Sequence, residues 1–121
     1  MVVGESLYAA LLLYLKGVLQ MDMEYFKEQI CDELDGAYCY AKKAIEIKAM
    51  VPAWGKMFID MANAEMTHAN NLFRMMNEYY AETQKAYNQM PDYIDTLKQE
   101  TIDIYTKKSA EAKWLIELYS R

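Results

Sequence analysis

The sequence predicts an all-α protein, an antiparallel bundle of three long helices with an additional N-terminal apolar helix. Apolar residues make up 54% of the 121 residues, far above the range of disordered chains. Only four Gly and two Pro interrupt a composition that is rich in strong helix formers. Apolar residues also recur in alternating steps of three and four, the period of a bundle helix. The length suits one domain with its own core.

Residues 1–20 are predicted to form an apolar helix ahead of the bundle, which is expected at 21–121. Residues 7–15 are nine uncharged, mostly apolar residues before Lys16, too few to span a bilayer. A cleavable signal peptide is disfavoured because Glu5 precedes this stretch and no small-residue cleavage pattern follows it. A helix that is apolar on nearly all sides has to be buried against its own bundle or a second subunit. We favour an oligomer contact.

The three bundle helices have recognisable ends in the sequence. Asp22 is placed to cap the first helix, which is expected to run to about Lys48. Pro52 suits the first turn of the second helix, which is expected to continue to about Glu82. The third helix is expected to open at Pro91 and to run nearly to the last residue. Matched lengths and short connections indicate antiparallel neighbours.

Charge and cysteine content exclude several classes of function. The net charge of −5 and the pI near 4.9 disfavour a nucleic-acid partner. Cys31 and Cys39 are about 12 Å apart along one predicted helix, too far for a disulfide, so free thiols in a cytoplasmic setting are expected. The chain has no nucleophile with a partner base and no Gly-rich phosphate loop.

Charged residues interrupt the predicted apolar seam of each bundle helix. The seam of the first helix includes Glu33, and the seam of the third includes Glu111. On the second helix, Glu65 and His68 occupy two places in a seam that is otherwise apolar or aromatic (Trp54, Phe58, Met61, Leu72, Met75 and Tyr79). A lone buried carboxylate is costly or becomes neutral, so these positions need an explanation.

A shared axial level favours a metal ion as that explanation. Turns centred near residues 50 and 87 place Glu33 opposite about residue 67 and Glu111 opposite about residue 63 of the second helix. Three carboxylates and the only histidine then meet in one layer. Carboxylates in one layer repel one another unless a cation lies among them. Oxygen ligands with one imidazole suit iron or manganese, and zinc less specifically.

At these residues the sequence resembles the ferritin-like di-iron carboxylate proteins. That family uses a Glu on one helix and Glu-x-x-His on the next, with the set given twice. The stretch "ELDGAYCY" (33–40) resembles the first-helix motif of bacterioferritins, which implies Glu33 as a ligand and Tyr40 as a partner beside the site. The stretch "EMTH" (65–68) is similar to the Glu-x-x-His of rubrerythrins and bacterioferritins.

The resemblance extends over residues 22–120 but is incomplete. The stretch "SAEAKWLIELY" (109–119) is similar to the third helix of short ferritin-like proteins of gut bacteria and phages, which supports Glu111 as a ligand. The full family has four helices and a second Glu-x-x-His, and this chain has neither. Encapsulated ferritins, which the chain also resembles in size, complete their site by dimerising. A homodimer or larger homo-oligomer is therefore expected.

The resemblance implies a ferritin-like iron-binding protein that oxidises Fe(II), although the residues alone leave open whether it is an enzyme. The alternative is a structural helical module of the phage or virion assembly type, with a virion or shell partner and no functional metal. Each candidate also has an ordinary structural interpretation. His68 can be bonded to Glu65 without metal, Asp32 can take the place of Glu33, and Tyr40 can be a core aromatic. Glu111 can pair with Lys108, one turn before it.

Overall fold

The chain folds into three helices that pack together, and the prediction of an all-helical protein is confirmed. The computed structural model describes residues 2–87 and 89–121, with the side chains of residues 7–87 and 89–121. The helices are α1 (Val2–Ile47), α2 (Pro52–Ala86) and α3 (Asp92–Tyr119). The described part of the chain contains no β-strand. Met1 of the predicted N-terminal segment and Asn88 of the predicted linker lie outside the described residues.

The first helix is continuous through the boundary that was expected near residue 20. α1 runs unbroken over 46 residues, so the apolar N-terminal segment and the first bundle helix are one element. Asp22 does not cap a helix there, and its carboxylate instead accepts a hydrogen bond of 2.6 Å from the Tyr79 hydroxyl. A capping residue starts a helix only where the preceding chain leaves the helix, and no Pro precedes Asp22.

The other helix ends lie near their expected positions. Pro52 occupies the first turn of α2, where its missing N–H costs no hydrogen bond. The α1–α2 turn closes because the amides of Met50 and Val51 both donate to the carbonyl of Ile47. Gly55 allows the two helices to approach closely there, because a Cβ at this position would lie 2.9 Å from Cβ of Lys48.

Polar contacts between the helices define their register. α2 lies antiparallel to α1, with Tyr79 bonded to Asp22 near one end and Gly55 against Lys48 at the other. α3 lies parallel to α1, as two antiparallel connections require. Their register is marked by hydrogen-bonded ion pairs and by one contact at the end of α1 (Lys27–Glu100 at 2.9 Å, Lys108–Asp35 at 2.5 Å, and the Lys48 ammonium to the Tyr119 carbonyl at 2.6 Å).

The buried stripe of α2 lies one residue away from the predicted seam. Half of the buried residues of α2 are small (Gly55, Ala62 and Ala69), and the other half are large and apolar (Ile59, Met66 and Met76). The predicted seam was wrong for this helix, because several of its large members are exposed in the chain (Trp54, Met61 and Met75). One residue corresponds to about 100° around a helix, so the predicted seam is the neighbouring face. The small side chains on the buried stripe allow the helix backbones to approach closely.

The N-terminal part of α1 extends beyond the rest of the bundle. The register of the α1–α3 ion pairs places the start of α3 level with Leu19, the first buried residue of α1 among the described side chains. Residues 7–18 of α1, here called the overhang, expose most of their large apolar side chains (Leu7, Tyr8, Leu11, Leu13, Tyr14 and Leu15), while Leu12 and Val18 are half-buried. Burial of the overhang against its own bundle is therefore not observed. Among the described residues, no helix is both long enough and apolar enough to cross a membrane.

Candidate metal centre

Glu33, Glu65 and His68 come together at the contact between α1 and α2. Each of the three side chains offers one ligand atom, and these atoms all lie within 4.8 Å of one another. Glu33 lies on α1, while Glu65 and His68 are one turn apart on α2 and point to the same side. Within the described residues, this is the only group of three or more His, Cys, Asp or Glu side chains with such a geometry.

Glu33 carries a buried oxygen atom that lacks a hydrogen-bond partner. Its Oε2 atom is inaccessible to solvent and accepts no hydrogen bond in the described structure. Nδ1 of His68 lies 3.4 Å from this oxygen, close enough for an ionic contact if the imidazole is protonated. A buried carboxylate oxygen without a donor is costly, so this atom favours a cation as its partner.

Gly36 makes room for the Glu65 carboxylate. A Cβ at Gly36 would lie 3.6 Å from Cδ and Oε2 of Glu65, so this carboxylate rests against the α1 backbone one turn after Glu33. An alanine would make ordinary contact with it, whereas a larger side chain would occupy its space. Gly36 was not predicted from the sequence, although a glycine three residues after Glu33 could have indicated a close approach of α2.

The group lies at the edge of the helix pair and not inside the bundle. The His68 side chain is 55% exposed, and the Glu33 side chain is 24% exposed. The expectation of a place in the buried seam was wrong for His68, because the α2 seam is displaced by one residue, whereas Glu33 and Glu65 are half-buried. One side of the group therefore faces solvent within a single chain, next to Leu72 and the exposed Met61 on the same face of α2.

Glu111 has the expected level but lies on another face. It is exposed and lines a groove between α1 and α3 together with Leu34, Asp35, Tyr38 and Lys108. Lys108 donates its hydrogen bond to Asp35 at 2.5 Å. This hydrogen bond, with smaller contributions from neighbouring charges that include Glu111, raises the pKa of Lys108 above its usual value. A single chain therefore does not bring Glu111 to the other three candidates.

The remaining candidates have clear positions. Tyr40 is half-buried two turns beyond Glu33 and stacks on Phe58, with ring centroids 6.3 Å apart. Asp32 is exposed, and the structure places Glu33, not Asp32, next to the imidazole. Both cysteines are free thiols, as expected.

Fold and site together define a three-helix protein with a carboxylate–histidine group between two antiparallel helices. Comparisons with protein-family models, curated proteins and solved structures find no match to the chain. The resemblance to ferritin-like proteins therefore depends on the residues quoted above and stays a prediction. The geometry of Glu33, Glu65 and His68 is independent of it.

Proposed function

We propose that this chain is a ferritin-like metal-binding protein that holds iron through Glu33, Glu65 and His68. The observation that carries the proposal is the buried, unpartnered Oε2 of Glu33, which lies within the same 4.8 Å cluster as ligand atoms of the other two residues. Two carboxylates and one imidazole are a donor set for iron or manganese, with zinc as a further alternative. A cation would also relieve the repulsion between the two carboxylates.

A second copy of the chain is proposed to complete the site. One chain supplies three ligand groups, too few to fill the coordination of two metal ions. The exposed side of His68 lies on a face of α2 that also exposes Trp54, Met57 and Met61, a surface suited to a partner. A two-fold axis beside this face would bring two identical sets of ligands to a shared centre, as in an isologous dimer.

In this proposal, Fe(II) is the substrate: each of two Fe(II) ions gives one electron to dioxygen and becomes Fe(III), and the dioxygen takes two protons from water and leaves as hydrogen peroxide. The two carboxylates favour the more highly charged ion, and the neutral imidazole orients the site through one nitrogen. Tyr40 is proposed to donate a hydrogen bond near the site, from its position against Phe58. Manganese or zinc in the same position would bind without this oxidation.

Anaerobic titration with Fe(II), followed by thermal unfolding, tests the proposal. We expect the wild-type chain to bind Fe(II) and to gain thermal stability, because a ligand that binds only the folded state stabilises it. Glu33→Gln and His68→Gln should lose both the binding and the gain. Glu78→Gln, which removes an exposed carboxylate of α2 that pairs with Arg74 at 3.9 Å, is the matched control. An equal response in all four proteins would overturn the proposal.

The second candidate is a structural helical module that assembles with a virion or shell partner and uses no metal. The observation that favours it is the exposed apolar overhang on α1. In that case, replacing Glu65 and His68 together by Leu should stabilise the chain, because apolar replacement of a partly buried polar cluster is often favourable. Melting temperatures that change neither with Fe(II) nor with a chelator would also favour this candidate.

A further inference from the structure

The overhang exposes more apolar surface than a monomer usually does. Six large side chains between Leu7 and Leu15 are 42 to 71% exposed. Together they present roughly 600–800 Å², compared with the few hundred Å² of a typical exposed patch. Lys16 is the only charged residue between Leu7 and Leu19. A surface of this size matches the roughly 800 Å² per partner of a stable protein–protein interface.

The charges of α1 favour an antiparallel second copy at the metal centre. The segment of α1 from Asp22 to Asp35, which includes the centre, is acidic, with a single base at Lys27 (Asp22, Glu24, Glu28, Asp32, Glu33 and Asp35). The part after it is mainly basic (Lys42, Lys43 and Lys48, with Glu46). A parallel copy would bring like charges level with one another, whereas an antiparallel copy brings the acidic part of each α1 level with the basic part of the other.

An antiparallel copy at the centre does not reach the overhang. From Glu33 to Lys48, the first residue after α1, is about 22 Å along the helix axis, and from Glu33 to Leu11 is about 33 Å in the other direction. The turn of the partner would therefore end near the level of Val18. Most of the overhang, from Leu7 to Gly17, would stay uncovered in such a dimer.

We infer that the overhang is a second contact between copies of this chain, separate from the metal-binding face, and that it joins dimers into a larger assembly. Each overhang packs on the overhang of a chain in another dimer. Both surfaces are apolar on nearly all sides, and an antiparallel pair keeps the two Lys16 ammonium groups at opposite ends. The placement of the first contact rests on the proposed function, whereas the exposure of the overhang does not.

The experiment measures molar mass by sedimentation at micromolar concentration, and Fe(II) binding in the same samples. The wild-type chain should have a mass above that of a dimer. Leu11→Gln with Tyr14→Gln should reduce the mass to that of a dimer and leave Fe(II) binding unchanged. Leu7→Gln with Tyr8→Gln should do the same, and Trp114→Gln, which changes an exposed aromatic of α3, should keep the wild-type mass.

Three results would overturn the inference. These are a wild-type dimer that binds Fe(II), overhang variants with the wild-type mass, and overhang variants that become monomers and lose Fe(II), since the last would mean that one interface includes both surfaces. If the wild-type chain binds no Fe(II), but the overhang variants have a lower molar mass than the wild type, the overhang contact is supported and the proposed function is refuted.

Discussion

The two neighbouring faces of α2 differ in side-chain size and in what they contact. The face toward α1 and α3 is buried and includes three small residues, Gly55, Ala62 and Ala69. The face displaced by one residue exposes large apolar side chains such as Trp54 and Met61 beside the carboxylate–histidine group. Both faces have the same alternating rhythm of apolar residues. The rhythm therefore identifies a helix that is apolar on two sides, while the small residues mark the side that its own chain covers.

This difference separates packing from solvent access within one helix. The buried face holds the three helices together, and the open face carries Glu65 and His68, whose side chains reach solvent on one side of the group. A charged group on the buried face would be costly, whereas the open face keeps one side of the group in water.

The largest expected effect is a difference in stability between alanine variants of two adjacent methionines. Met76 is fully buried, and Met76→Ala should lower the free energy of unfolding by about 2–5 kcal/mol through lost burial and a cavity. Met75 is 49% exposed, and Met75→Ala should change it by less than about 0.5 kcal/mol. Urea unfolding at low protein concentration measures both. Equal losses would show that the assignment of the two faces is wrong.

The next effect concerns the space at Gly36. Gly36→Leu should displace the Glu65 carboxylate and remove the stabilisation by metal, which is about 2.7 kcal/mol at a metal concentration of 100 times Kd. Gly36→Ala should keep the metal response, because its Cβ makes only ordinary contact at 3.6 Å. Thermal unfolding with and without Fe(II) provides the comparison. A Gly36→Leu chain that responds like the wild type would exclude this position of Glu65.

A smaller effect is expected where the buried face is closest to α1. Gly55→Ala should destabilise by about 1–3 kcal/mol, although alanine favours helices, because its Cβ would lie 3.0 Å from the Lys48 backbone. Gly17 has open space around it, so Gly17→Ala should stabilise by about 0.5–1 kcal/mol. Chemical denaturation measures the change in the free energy of unfolding for both variants. A stabilising Gly55→Ala would show that α1 and α2 are less close than described.

The smallest effect is a dependence on alkaline pH. Burial and the hydrogen bond to Asp22 raise the pKa of the Tyr79 hydroxyl above its ordinary value. The neutral phenol is thus favoured in the folded chain. Its contribution is fully present below about pH 10 and is lost as the pH rises further, toward the raised pKa. Tyr79→Phe should therefore weaken the loss of stability measured between about pH 10 and 11.5. An unchanged slope would contradict this role of the hydroxyl.

The sequence predicted axial levels better than helix faces. The level of Glu33 against His68 followed from the length of the α1–α2 turn, and an error of one residue there displaces a group by only about 1.5 Å. The same error rotates a side chain by about 100°, which placed the α2 seam on the wrong face. Glu111 illustrates both points, since it lies at the predicted axial level but on a different face of the bundle from the other three candidates. The continuity of α1 through Asp22 was missed because capping signals are local, whereas the bond to Tyr79 is tertiary.

Anomalous X-ray diffraction from crystals grown with Fe(II) or Mn(II) tests the central claim most directly. We expect a metal peak about 2.0–2.3 Å from ligand atoms of Glu33, Glu65 and His68, with the same three residues of a second copy on the shared centre. A metal peak away from these residues, or a loaded crystal in which Glu33 faces solvent away from His68, would contradict the claim.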